Sequence, residues 1–163
     1  MLDFLFLKTV FLSSLFEILM NLDSPYIQQL QTVSDCDASL IELLLWFEQF
    51  KFLIPPTIWI QSQAALVEGF TNAVRHAHHH LASDTPIDIE VRLDRGVIEL
   101  RIWDRGNEFD LKAFVQTLPD EVELEAEGGR GLKLMIRIAD RLEYIRLADR
   151  RNCLYMIKRW KPQ

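Results

Sequence analysis

Glu68, Asn72 and His76 stand four residues apart in the run Leu66-Val67-Glu68-Gly69-Phe70-Thr71-Asn72-Ala73-Val74-Arg75-His76-Ala77. Residues i and i+4 stack on one side of an α-helix, so a carboxylate, an amide and an imidazole share one stripe. Burying three such groups is unfavourable unless each finds a partner. A solvated face or a closed polar network is the plain solution. A magnesium-triphosphate ligand is the functional one. An amide oxygen suits Mg²⁺, which takes few protein ligands and fills its shell with phosphate oxygens. A carboxylate one turn away can accept a proton from an attacking hydroxyl. His76 is expected to pack and hold the helix end, without a part in the chemistry.

Two further motifs follow in order. Asp104-Arg105-Gly106-Asn107-Glu108-Phe109-Asp110 comes directly after an alternating apolar segment. A carboxylate at a strand end can accept a hydrogen bond from the exocyclic amine of adenine, and guanine offers only a carbonyl there. Gly106 lets the backbone approach a ring closely, and Phe109 is expected under the pocket floor. Asp-x-Gly alone is equally well an ordinary turn. Glu127-Gly128-Gly129-Arg130-Gly131-Leu132 then opens a helical pattern. Glycines free backbone amides to face phosphates, and a helix N-terminus adds partial positive charge. By itself such a loop is equally well a hinge. His78-His79-His80 invites a metal reading, but consecutive helical residues diverge. A solvated helix terminus is the expectation.

These residues need elements to hold them. Leu30-Gln31-Thr32-Val33 reads as a short edge strand. Asp37 or Ser39 can cap a helix through Leu40, Leu44, Phe47 and Phe50. Pro56-Thr57 opens a long helix to about Leu81, with Ile60, Ala64, Val67, Thr71 and Val74 on one apolar side and Leu66, Phe70, Ala73 and Ala77 on another. Ile87, Ile89, Val91 and Leu93 alternate with polar residues, as do Ile98, Leu100 and Ile102, and Asp94-Arg95-Gly96 joins them as a hairpin. Residues 107–127 carry no strong period. Gly131 to Ala139 reads as a helix, and Leu142–Leu147 and Cys153–Trp160 read as strands. The expected fold class is α+β: a two-layer sandwich, its mixed, mostly antiparallel sheet covered by helices on one face.

The motif order resembles the GHKL ATP-binding fold of gyrase and histidine kinases. Within it, the chain is most similar to the anti-sigma factor serine/threonine kinases of the partner-switching type, over roughly Leu30 to Trp160. The resemblance implies ATP and Mg²⁺ as ligands and Glu68 as the catalytic base. It implies Asn72 on the metal and, with Asp104, Gly106, Phe109, Gly128, Gly129, Arg130, Gly131 and Leu132, on the nucleotide. It implies a sigma factor and a STAS-type antagonist as partners, often with homodimerisation. Asp110 to Glu127 corresponds to the family's ATP lid. Two features depart from the pattern: Glu127 stands where some relatives carry a basic residue, and the lid is acidic. They leave a second reading open, a module that binds ATP and switches partners without phosphotransfer.

The whole chain of 163 residues bounds these readings. That length suits one domain with a real core. A net charge of −6 disfavours a broad grip on nucleic-acid phosphates. Cys36 and Cys153 lie far apart with no CxxC pattern, which fits a reducing cytoplasm. Residues 1–19 are greasy but interrupted by Asp3, Lys8 and Glu17, so no uncharged run reaches the ~18 residues of a spanning helix. They are expected to be a peripheral helix, docked on the domain or lying on a membrane surface, or upstream sequence ahead of a start at Met20. The domain proper is then 20–163.

Overall fold

The computed structural model describes residues 25–33, 36–117 and 130–161. The extension at 1–19, the lid residues 118–127, Gly128 and Gly129 lie outside the described residues. Strand β1 (Tyr26–Val33) leads to helix α1 (Cys36–Phe47), which tightens into a 3₁₀ turn at Glu48–Phe50. Helix α2 (Pro56–Asn72) passes into a π-helical turn, Ala73–Ala77. The hairpin of β2 (Pro86–Asp94) and β3 (Val97–Asp104) follows. Short helix α3 (Leu111–Thr117), helix α4 (Arg130–Ile138), β4 (Arg141–Arg146) and β5 (Asn152–Arg159) complete the order. The strands lie β1-β2-β3-β5-β4, and every pairing is antiparallel. The expected α+β sandwich is therefore present, with no parallel pair among the described strands.

The alternation in the sequence decides which face of the sheet is covered. Ile87, Ile89, Val91 and Leu93 on β2 are buried, as are Ile98, Leu100 and Ile102 on β3. Asp94 pairs with Val97 across a two-residue turn, where Gly96 takes φ 72°, a conformation that favours glycine. The opposite face carries charge ladders. Arg101 meets Glu90 at 2.7 Å and Glu99 at 2.6 Å, and Arg151 meets Asp88 at 3.1 Å.

The helices close the other face. Pro56 sits at the first turn of α2, where its missing N–H leaves no bond unmade. Leu66 and Phe70 are each 1% exposed, a burial that contributes roughly 1.5–3 kcal/mol per side chain. Gly69 lets the helix lie close on the sheet. A methyl group there would lie 2.6 Å from Ile102 Cδ1 and 2.8 Å from Leu154 Cδ2. Of the apolar side expected to include Ile60, that residue is 60% exposed, while its neighbour Trp59 packs on Phe47 of α1 at 6.3 Å between ring centroids. No helix among the described residues is long and apolar enough to cross a membrane.

Several boundaries differ from the expectation. β1 starts at Tyr26, because its polar residues Gln29 and Gln31 pair side by side with Glu90 and Asp88 on β2. Asp37 and Ser39 lie inside the first turn of α1, which begins at Cys36. α3 was invisible to periodicity, since seven residues give too few turns to establish one. The long helix expected to reach Leu81 ends its α-helical part at Asn72.

Candidate functional site

Between α2, the end of β3, α3, α4 and β4 lies a cleft of about 460 Å³, within the range of small-molecule sites. One wall is the polar stripe of α2 and its extension: Gly69, Asn72, His76 and His80. Ile102, Leu154, Leu132 and Met135 make an apolar surface, and Phe109, Phe114 and Tyr144 stand together on another side. The Phe109 ring is 5.3 Å from that of Phe114 and 5.9 Å from that of Tyr144. Phe109 is 43% exposed, so it forms a wall where a floor residue was expected. Of the aromatic partners that hold it there, Phe114 is near in sequence and Tyr144 in β4 is remote.

Asp104 is the buried carboxylate of this cleft, 2% exposed. Its Oδ1 accepts from the Gly106 N–H at 2.8 Å and from Asn152 Nδ2 at 2.7 Å. Its Oδ2 accepts from the Tyr144 hydroxyl at 2.5 Å. Burial, and then the bond to Asp104, push the Tyr144 hydroxyl far above its ordinary range, so it remains a donor. A carboxylate has about four lone-pair sites, and among the described residues these three bonds leave one for a ligand.

Asn152 completes the frame. It is fully buried. Its Nδ2 also reaches Gly106 O and Asn107 O, each at 3.2 Å, and its Oδ1 accepts from Arg146 Nη1 at 2.8 Å. Arg146 donates to Gly106 O at 2.7 Å. Tyr144, Arg146 and Asn152 are functional supports that the motif reading missed. The pairing of Asp104 with Asn152, and of Asn152 with Arg146, puts them side by side. The one sequence signal was a polar Asn152 at the head of the apolar run Cys153-Leu154-Tyr155-Met156-Ile157.

Gly106 packs on the π-helical turn. A methyl group on it would lie 2.7 Å from both Cα and O of Ala77, backbone atoms that cannot swing aside. Gly106→Ala is expected to destabilise the fold by about 1–3 kcal/mol, read as a lowered midpoint in urea with an unchanged slope. A midpoint equal to the wild type would mean that this contact is soft.

Glu68 does not line the cleft, but its carboxylate lies against Gly131, which does. A methyl group on Gly131 would fall onto that carboxylate. Glu68 thus sits beside the start of α4. Negative charge there is favoured by the helix dipole. Asn72, Asp104, Phe109, Gly131 and Leu132 all line the cleft. Gly106 and Arg130 flank the cleft without lining it.

The three consecutive histidines separate in role. His79 and His80 are exposed, as a solvated terminus requires. His78 is 3% exposed and accepts the Arg105 N–H on Nε2 at 2.8 Å. That corrects the expectation of a wholly solvated run: the π-helical turn, closed by His78 N–H to Ala73 O at 2.8 Å, changes the helical phase and turns His78 inward. Among the described residues, no group of three histidines, cysteines or acids is placed to hold a metal ion.

The family model for the histidine kinase-like ATPase domain matches residues 33–158, which include every element of the cleft. The chain belongs to this family. A search of curated proteins finds no match. Family membership implies ATP as the ligand, and this chain's residues fit it. The apolar surface of Ile102, Leu132, Met135 and Leu154 suits a flat base, and buried Asp104 keeps one acceptor site for an amine. Asn72 would hold Mg²⁺, and the metal would neutralise phosphate charge.

Proposed function

We propose that the chain is an ATP-dependent protein serine/threonine kinase that also serves as an anti-sigma factor. In this reading it sequesters a sigma factor in the cytoplasm and phosphorylates a STAS-type antagonist protein. Bound Mg-ATP supplies a phosphoryl group whose transfer depends mainly on positioning and charge. Asp104 selects adenine. Asn72 orients the metal end. Glu68 accepts the proton of the antagonist's serine or threonine hydroxyl as that oxygen takes the γ-phosphoryl group and the bond from the γ-phosphorus to the β–γ bridging oxygen breaks, releasing ADP. The observation that carries the reading is the carboxylate of Glu68 lying against Gly131, where α4 opens on the cleft. A homodimer fits the same picture, since β1 is a sheet edge among the described residues.

One feature favours the second reading, a switch that binds ATP without transferring phosphate. Among the described residues, no lysine or arginine lines the cleft, and Glu108 does. The deciding experiment is a pull-down of the antagonist with ATP, ADP and a non-hydrolysable analogue, followed by mass analysis. The kinase reading expects a phosphoserine or phosphothreonine on the partner, and release afterwards. Nucleotide-dependent binding with no phosphate on the partner would establish the switch and remove the kinase.

A further inference from the structure

His78 does work that neither the motif order nor the family match assigns to it. It follows the π-helical turn that ends the Asn72 helix. Its Nε2 accepts the backbone N–H of Arg105, 27 residues on, at 2.8 Å. Arg105 is the middle residue of the turn in which Gly106 N–H donates to Asp104 Oδ1. One imidazole therefore ties the Asn72 wall of the cleft to the Asp104 wall. The bond also fixes the tautomer: Nε2 must be bare, and the ring proton is on Nδ1.

We propose that His78 is a positioning residue for nucleotide binding, which as a neutral imidazole holds the Asp104-Arg105-Gly106 turn in the shape that presents Asp104 to the base. The inference rests on reading the cleft as an adenine-nucleotide site. A protonated ring carries a hydrogen on both nitrogens. Nε2–H would then oppose the Arg105 N–H, and the tie would be lost.

The surroundings set the sign of the pH dependence. Burial lowers the His78 pKa and is the leading influence. Asp104, at the end of β3, pulls the other way, while Arg105 in the turn and His80 on the same segment add to the lowering. Tyr144 and Asn152 meet the Asp104 carboxylate from β4 and β5. A histidine held neutral in the fold protonates more readily when unfolded. Stability from this group is thus full above about pH 6.5 and falls as the pH drops toward its lower folded value. ATP binding should weaken in the same direction.

The test compares wild type, His78→Gln and His78→Leu in two measurements. One is exchange protection of the Arg105 amide in the free protein. The other is ATP affinity by calorimetry at about pH 7.5 and about pH 5.5, spanning the ordinary imidazole range. Glutamine keeps an acceptor that does not titrate; leucine keeps none. His78→Gln should preserve Arg105 protection, hold ATP affinity within about threefold at the higher pH, and lose less of it in acid than the wild type. His78→Leu should lose roughly tenfold in both protection and affinity, the equivalent of one unmade bond to a part-buried donor. His76 and His80 remain in all three proteins, so the difference belongs to His78. Should the leucine variant fail to fold, the glutamine pH profile still decides. Unchanged protection in His78→Leu, or identical acid profiles for wild type and His78→Gln, would overturn the proposal. Wild type that binds no ATP would instead overturn the nucleotide reading, and Arg105 protection would still judge His78.

Discussion

Glu68→Gln should bind ATP nearly as well as the wild type yet transfer phosphate more slowly by a factor on the order of 10² or more. The variant keeps the shape of the side chain and removes its ability to take a proton. Its effect on folding is expected to be small. The carboxylate lies at the start of α4, where loss of negative charge typically costs about 0.3–1 kcal/mol. Glu68 touches the helix but does not line the cleft, which keeps nucleotide binding separable from transfer. Single-turnover transfer from labelled ATP to the antagonist, at saturating nucleotide, measures the effect. A thermal melt recorded alongside separates chemistry from stability. Equal transfer rates in the two proteins would remove Glu68 as the base.

Asp104→Asn should weaken ATP binding by roughly 1.5–3 kcal/mol, the range for hydrogen bonds to charged groups. The frame around Asp104 makes this a clean substitution. Its oxygen facing Gly106 N–H and Asn152 Nδ2 can remain an oxygen in asparagine. The new amide nitrogen then faces the Tyr144 hydroxyl, which can rotate to accept. The fold survives, but the face offered to the base now carries a donor, and an adenine amine is a donor too. Calorimetry with ATP checks the prediction, and an affinity equal to the wild type would take Asp104 out of the site.

The sheet and its covered face were legible because β2 and β3 are strict alternations, and one face of a sheet must find cover. The cleft was legible in part. Asn72, Asp104 and Gly131 are short-range signals: a helical stripe, a residue ending a strand, a glycine opening a helix. Their supports are long-range. Asn152 meets Asp104 from 48 residues away, and Tyr144 from 40. No local spacing reveals such partners; only the β3-β5-β4 pairing does. The fate of His78 was hidden for another reason. It hangs on a π-helical turn, and one extra residue in a turn changes every facing that follows. Propensity does not mark where such a turn occurs. The short α3 and the aromatic contact of Phe114 with Phe109 escaped for want of length.

That the cleft is an adenine-nucleotide site is tested most directly by a calorimetric titration of the unmodified chain with Mg-ATP and with Mg-GTP. Asp104, held between the Gly106 amide, Asn152 and Tyr144, offers an acceptor where adenine donates and guanine does not. The prediction is one ATP per chain, with GTP at least tenfold weaker, the equivalent of about 1.4 kcal/mol. GTP binding as tightly as ATP, or no binding of either, would contradict it.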